Sequence, residues 1–156
     1  MAESEKNLLE RLADAIPGLK GYREKESRRD TDKRFRDYLA DRIDRARGSL
    51  DELKRTLVNQ GKLDGLAELD RLSQKLFQSA NQIRHASYGY SGFFDQVKIQ
   101  ENELDRIYEH DLSMLTDVEA LEVSLKNPDL AQEWDSKIQA LNQKLEDRKH
   151  LFSVTG

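Results

Sequence analysis

Residues 35–57, FRDYLADRIDRARGSLDELKRTL, decide the fold of this chain. Their apolar side chains recur in steps of three and four, which trace one stripe along an α-helix. Because such a stripe is buried only against another element, it predicts a partner helix. The stripe keeps its phase across Gly48-Ser49, so we predict one continuous helix that ends near Gln60. The stripe consists of Phe35, Leu39, Ile43, Ala46, Leu50, Leu53 and Leu57.

Helices are predicted on both sides of this segment. A leucine-rich stripe predicts a helix over 65–87, with Gly61 as the C-cap of the preceding helix and Asp64 as its own N-cap. Upstream, an amphipathic pattern predicts a short helix over 3–16. Pro17-Gly18 ends that short helix, since proline and glycine together mark a turn.

Two more long helices complete the chain. One is predicted over 94–126, where the apolar face is wide. The other is predicted over 128–151, because asparagine caps helices well and proline suits the first helical position at Asn127-Pro128. Four long helices with short connections predict an all-α, antiparallel up-down helical bundle with a short N-terminal helix. We expect residues 1–156 to form a single domain.

The composition excludes several classes of protein. Apolar residues make up 37% and charged residues 36%, which is typical of long helices with charged outer faces. The chain has no cysteine, so disulfides and thiolate chemistry are excluded. No apolar run approaches the length of a membrane span, and the N-terminus lacks the pattern of a signal peptide. We therefore expect a soluble cytoplasmic protein.

Residues 20–34 are predicted to form a charged helical arm that follows the N-terminal helix and turn of residues 1–19. From Arg23 to Arg34 there is no apolar side chain, so the segment has nothing apolar to bury, and we expect it to project. Residues 20–47 carry eleven basic and seven acidic side chains, whereas the chain as a whole has a net charge of -4. This local basic excess makes the arm a candidate contact surface.

Three uses of the arm stay open. Pairs such as Asp30 with Arg34 and Asp32 with Arg36 are spaced for ion pairs on a solvated helix. The positive excess also suits an acidic protein partner or an anionic membrane surface. Interleaved acids weaken the field for a polyanion, so no specific nucleic acid is expected.

An aromatic loop, residues 87–94, separates the second and third long helices. Four aromatic side chains and two glycines lie within it, and these rings either cap the bundle or form an exposed binding surface. The arm and the loop together supply the candidate partner-binding residues. These are Lys20, Arg23, Lys25, Arg28, Arg29, Lys33, Arg34, Tyr88, Tyr90 and Phe93.

Catalytic and metal-binding patterns are weak. Helical di-iron sites use Glu-x-x-His pairs, and the sequence contains none. The cluster that merits testing is Glu101, His110 and Asp111. Glu101 and Asp111 fall near the inward seam of their helix, where a carboxylate is either a functional acid or an edge residue paired with arginine. We predict no cofactor, no metal site and no enzymatic activity.

The run from Ile16 to Glu26, with Arg28-Arg29-Asp30 and Asp32-Lys33 after it, resembles the opening of a set of small, uncharacterised bacterial helical proteins. The shared pattern is IPGxKGYxEKExRRxxDK, and it spans residues 16–33 of this chain. The resemblance implies a bacterial cytoplasmic setting and no activity, ligand or site residue.

Three functions follow from these patterns. The first is a non-enzymatic protein-interaction or scaffold module that presents the arm and the aromatic loop to a protein partner. The alternative is peripheral association with an anionic membrane surface through residues 4–36, where an amphipathic helix precedes the basic arm. The third, more remote, is a helical-bundle metal protein or enzyme. Pairing of the projecting helix with its own copy is a further option.

Overall fold

A computed structural model of the chain describes residues 10–17, 28–86 and 101–153. Over these residues the fold is all-α, with no β-strand. The prediction of a bundle of four long helices is confirmed. Residues 10–15 form a short helix, α1, and the long helices are α2 (Arg28–Asn59), α3 (Leu66–Arg84), α4 (Glu101–Ser124) and α5 (Trp134–Ser153), with a 3₁₀ helix (Pro128–Glu133) before α5.

The four long helices form two antiparallel hairpins, α2 with α3 and α4 with α5. Polar pairs along α2 and α3 fix their direction. Arg84, at the end of α3, bonds Asp44 at the middle of α2. Asp70, at the start of α3, bonds Lys54 near the end of α2.

The hairpins pack with α2 beside α4 and α3 beside α5. Both of these neighbouring pairs run parallel. On α2 and α4, Arg42 bonds Glu122, and the earlier residues Asp32 and Asp111 share Arg148. The direction of the helices therefore alternates along the chain, whereas helices that touch across the two hairpins point the same way.

The apolar stripe of α2 lies in the core, as predicted. Its members from Phe35 to Leu50 are at most 2% exposed, and Leu53 and Leu57 are partly buried. The helix is continuous through Gly48 and ends at Asn59. Gly61 follows in the left-handed region with φ 71°, which glycine adopts without a Cβ penalty.

Two predicted helix starts need correction. Asp64 was predicted as the N-cap of α3, but the cap is Gly65 at φ 85°, with no side-chain hydrogen bond. The last helix was predicted from residue 128, but residues 128–133 are a 3₁₀ helix. No residue of this 3₁₀ helix is buried. The first side chain of this region that packs in the core is Trp134, and the α-helix begins there. The predicted cap at Asn127 is confirmed, because its side chain accepts a hydrogen bond from the Asp129 backbone.

Some predicted helical residues lie outside the described part of the chain. They are residues 3–9 of the first helix, residues 20–27 of the charged arm, residue 87 after α3 and residues 94–100 ahead of α4.

Candidate functional site

A buried charged layer joins the hairpins near one end of the bundle. Arg148 of α5 is 0% exposed and lies between two acids. Its Nε donates to Oδ1 of Asp111 at 2.8 Å and its Nη2 to Oδ2 at 3.1 Å. The same Nη2 donates to Oδ1 of Asp32, and the guanidinium carbon lies 5.5 Å from the centre of the Phe35 ring. One guanidinium therefore connects α2, α4 and α5.

Arg36 extends the layer to the fourth long helix. Its Nε donates to Oδ2 of Asp32 at 2.9 Å. Its Nη1 donates to the backbone carbonyls of Ile83 at 3.2 Å and Arg84 at 3.0 Å. These carbonyls belong to the last turn of α3, where a helix leaves acceptors without a partner in the helix. The charged layer, defined as Asp32, Arg36, Asp111 and Arg148, thus touches all four long helices.

The charged layer is balanced, with two acids and two bases. Burial raises the pKa of Asp111, and the charge and hydrogen bonds of Arg148 oppose this rise. Both oxygens of Asp111 accept from the same guanidinium, a strong bidentate arrangement. Both carboxylate oxygens of Asp111 are therefore engaged by Arg148. The geometry is that of a structural ion pair.

The structure shows the surroundings of Asp111, for which two interpretations stood open. It is paired with an arginine, as one of them proposed, but it lies in the core at 3% exposure and not at the helix edge. His110 points elsewhere, with its Nε2 2.7 Å from the carbonyl oxygen of Lys144. The side chain of Glu101 lies outside the described residues. No group of three or more metal-binding side chains occurs in residues 10–17, 28–86 and 101–153.

The expectation that the arm projects is wrong at residues 31 and 32, in the part of the arm that the structure describes. Thr31 and Asp32 are buried. The predicted ion pair of Asp32 with Arg36 forms, but it forms inside the core. The physical reason is that two guanidinium groups compensate the carboxylate, so its burial needs no apolar side chain.

The candidate contact residues of the arm and the loop divide into two groups. Lys33 is exposed and bonds Asp37 at 3.1 Å, and Arg34 is half-buried beside Ile16 and Pro17. The others lie outside the described residues, or have side chains that do. These are Lys20, Arg23, Lys25, Arg28, Arg29, Tyr88, Tyr90 and Phe93.

A second surface lies at the opposite end of the bundle, where α2 turns into α3. Val58 is 52% and Leu63 64% exposed, and the neighbouring leucines are only partly buried. Two apolar side chains in this region are exposed and three are partly buried, so the region is more apolar than a surface with one isolated exposed side chain. We call this surface the apolar tip, and it consists of Leu53, Leu57, Val58, Leu63 and Leu66.

The apolar tip arises because the two hairpins differ in length. Arg42 of α2 is level with Glu119 and Glu122 of α4, and α4 ends at Ser124. By this alignment α2 passes the end of α4 near Ala46. Beside α5 the cover reaches further, because Asp135 of α5 bonds Arg71 and Lys75 of α3 and Ser73 of α3 bonds Asp51 of α2. The part of α2 beyond both neighbours therefore runs from about residue 52 to Asn59, about 10 Å at ~1.5 Å per residue.

A shallow groove runs along the outside of the projecting hairpin. Val58 and Leu66 form its apolar part, and its polar rim contains Asp51, Lys54, Arg55 and Asp70. Lys54 Nζ lies 2.6 Å from Asp70 and 3.3 Å from Asp51. The hydrogen bond to Asp70 is the largest cause that raises the pKa of Lys54. The rim therefore carries both signs of charge.

No protein family, curated protein or solved structure matches this chain. None of the described helices combines the length and the apolar character that a bilayer crossing requires.

A surface ion-pair network between the hairpins makes the stability of the fold depend on pH. Hydrogen bonds from Lys75 and then Arg71 lower the pKa of Asp135. Because the native value lies below the unfolded value of about 3.9, this carboxylate stabilises the fold above that pH, and the contribution is lost as pH falls through the lowered value. We expect NMR titration of the Asp135 carboxyl carbon to show the low midpoint. In Lys75→Met/Arg71→Met the midpoint should return to its ordinary value, and an unchanged midpoint contradicts the assignment.

Proposed function

We propose that this chain is a non-enzymatic protein-interaction module whose binding surface includes the apolar tip. The observation that carries the proposal is that the buried seam of the α2–α3 hairpin continues past the α4–α5 hairpin and reaches solvent. Val58 and Leu63 lie at this end, with more than half of their surface exposed. Exposed apolar patches cost free energy in water and mark interaction surfaces.

The hydrogen bonds of the charged layer support a structural role for its buried charges. In the charged layer each acid bonds a guanidinium, and Arg36 also bonds backbone carbonyls of α3. A general base needs an acceptor within reach of a substrate proton. Asp32 and Asp111 instead direct their oxygens at Arg36 and Arg148.

The proposal is tested by affinity capture from the source cells with quantitative mass spectrometry. The variant Val58→Lys/Leu63→Lys places two charges on the apolar tip without changing a buried side chain. Val123→Lys is the matched control, because Val123 is a 71% exposed apolar residue on α4. We expect the tip variant to lose the proteins that the wild type recovers and the control to retain them, with equal helicity by circular dichroism.

The charged arm is tested in the same experiment. The variant Arg28→Glu/Arg29→Glu/Lys33→Glu/Arg34→Glu reverses its basic side chains. Loss of partners in this variant alone assigns binding to the arm and removes the apolar tip from the interface. Equal recovery by wild type, tip variant and arm variant contradicts the interaction function at both surfaces.

A further inference from the structure

We infer that the bundle opens between its two hairpins, with α2–α3 and α4–α5 separating as intact units through the charged layer. This motion is independent of the apolar tip. Three features of the described residues support it: the way in which the buried charges are paired, the extent of packing within each hairpin, and the exposure of the ion pairs between the hairpins.

The buried charges are compensated within each hairpin. In the first hairpin Asp32 accepts a hydrogen bond from Nε of Arg36 at 2.9 Å, and Arg36 also donates to carbonyls at the end of α3. In the second hairpin Asp111 accepts two hydrogen bonds from Arg148. The hydrogen bond from Arg148 to Asp32 crosses between the hairpins. Separation breaks this crossing bond and leaves each carboxylate with a guanidinium of its own hairpin.

The closed bundle keeps these four charges away from water. All four side chains are at most 6% exposed. Burial raises the pKa of Asp111, which means that the charged form of this carboxyl is disfavoured. The mutual attraction of a buried ion pair often does not repay its desolvation. When the hairpins separate, water reaches the charged layer while the ion pair within each hairpin persists. The layer is therefore where opening of the core is least unfavourable.

The helices pack more extensively within the hairpins than between them. In the described part of the bundle α2 packs mainly on α3, and α4 packs more extensively on α5 than on α2. Each hairpin also has its own polar contacts. Ser73 of α3 donates to Asp51 of α2, and the Trp134 indole at the start of α5 donates to Ser124 at the end of α4. Separation of the hairpins leaves these contacts in place.

Ion pairs outside the charged layer join the hairpins at the edge of the core. The side chain of Asp135 on α5, which bonds Arg71 and Lys75 of α3, is 40% exposed. Arg42 of α2 and Glu122 of α4 have side chains that are 14% and 12% exposed. Ion pairs with access to water contribute little to stability. Water therefore replaces these contacts when the hairpins separate.

The open state is a minor one, because separation exposes apolar side chains of the core. Native-state thiol labelling detects such a state, and each probe is site-specific because the chain has no cysteine. Val118→Cys places a thiol between the hairpins, since Val118 lies one turn before Glu122, which bonds Arg42 of α2. Ala40→Cys is the matched control within the first hairpin, since Ala40 lies one turn after Arg36, which bonds α3. Val118 and Ala40 are both 0% exposed.

We expect the thiol of Val118→Cys to react with a soluble disulfide reagent at least about tenfold faster than that of Ala40→Cys, because sub-global opening requires less free energy than global unfolding. Urea should accelerate the reaction of Val118→Cys less steeply, since opening exposes less surface than unfolding. Circular dichroism and urea unfolding compare the helicity and the global stability of the two chains. Equal rates, or a faster reaction of Ala40→Cys, overturn the inference.

A second pair of probes on α3 makes the test independent of one substitution. Ser79→Cys is nearly isosteric, and Ser79 is 2% exposed and bonds Asn142 of α5. Its control is Ala80→Cys, because Ala80 is 0% exposed and lies two turns after Ser73, which bonds α2. We expect Ser79→Cys to react faster than Ala80→Cys by a similar factor. A difference confined to the probes on α2 and α4 indicates local opening of α4 and also overturns the inference.

The part played by the charged layer is tested in the background Arg148→Met/Asp111→Leu. This double variant removes one base and one acid and leaves Asp32 with Arg36. We expect the ratio of the Val118→Cys rate to the Ala40→Cys rate to fall several-fold, because the open state no longer gains the hydration of that ion pair. The ratio corrects for any change in global stability. An unchanged ratio overturns the assignment of the opening to the charged layer.

Discussion

Arg148→Ala is expected to lose about 3–5 kcal/mol of unfolding free energy, the usual cost of removing one partner of a buried ion pair. The substitution removes the bidentate donor of Asp111 and leaves that carboxylate at 3% exposure. Asp32 retains its bond to Arg36 but loses its second guanidinium. Urea unfolding followed by far-ultraviolet circular dichroism at neutral pH measures the effect. Lys149→Ala is the neighbouring control, since Lys149 is 41% exposed and pairs at the surface with Glu146.

The pH dependence of this loss distinguishes an uncompensated charge from a packing defect. Burial already raises the pKa of Asp111 against the opposition of Arg148, so removing Arg148 raises it further. The native state then binds a proton at a pH where the unfolded chain, with a carboxyl pKa of about 3.9, does not. The deficit of the variant should therefore shrink as the pH falls from neutral toward that value. A deficit that is independent of pH assigns the loss to packing.

A double variant provides the second check on the same ion pair. Arg148→Met/Asp111→Leu removes one base and one acid together and leaves Asp32 paired with Arg36. Replacing a buried ion pair with apolar side chains is often neutral or stabilising. We expect the double variant to be more stable than Arg148→Ala by several kcal/mol. Equal instability of the two would show that the layer supplies more than compensated charge.

The charged layer was difficult to predict because its residues break the rule that identifies a core. The apolar stripes of α2, α4 and α5 were readable from spacing alone. Asp32 lies three residues before Phe35, and Arg148 lies three residues after Leu145, so each occupies the next position of an apolar stripe. Their position in the stripe was the one feature of the sequence that indicated burial of these two side chains. The spacing could not reveal the pairing, because Asp32 and Arg148 are 116 residues apart in the sequence.

The exposure of the apolar tip could not be predicted from the sequence, for a different reason. The stripe of α2 showed which face is apolar, and Leu53 and Leu57 were correctly assigned to it. Whether that face is covered depends on where α4 ends relative to α2. This level is set by contacts such as Arg42 with Glu122, which join elements far apart in the chain. The periodicity of a helix does not report where that helix ends relative to another helix.

The charged layer also helps to explain which helices of the two hairpins lie side by side. Apolar stripes on four helices are compatible with several neighbour orders, since hydrophobic burial is non-directional. Arg148 meets Asp32 and Asp111 only when α2 and α4 both lie beside the end of α5. Another order would leave buried charges without these partners, at a cost of several kcal/mol for each ion. The layer therefore favours the neighbour order in which α2 lies beside α4.

Trp134→Ala is the second substitution with a large expected effect, about 3–5 kcal/mol of unfolding free energy. Trp134 begins α5 and is 1% exposed. Its Nε1 donates to the carbonyl oxygen of Ser124 at 3.2 Å and lies 3.1 Å from the Ser124 Oγ. Because Ser124 ends α4, this side chain closes the α4–α5 hairpin by both packing and hydrogen bonding. Alanine removes both and leaves a cavity.

Two variants separate these contributions. Trp134→Phe keeps most of the buried ring but loses the donor, so we expect a loss of about 1 kcal/mol from the hydrogen bond, with a smaller packing loss. Phe77→Ala is the aromatic control, because Phe77 is 40% exposed on α3 and its removal opens no enclosed cavity. Since the chain has one tryptophan, circular dichroism and not intrinsic fluorescence must follow all of the chains. If Trp134→Ala costs no more than Phe77→Ala, the hairpin is closed by contacts other than those of Trp134.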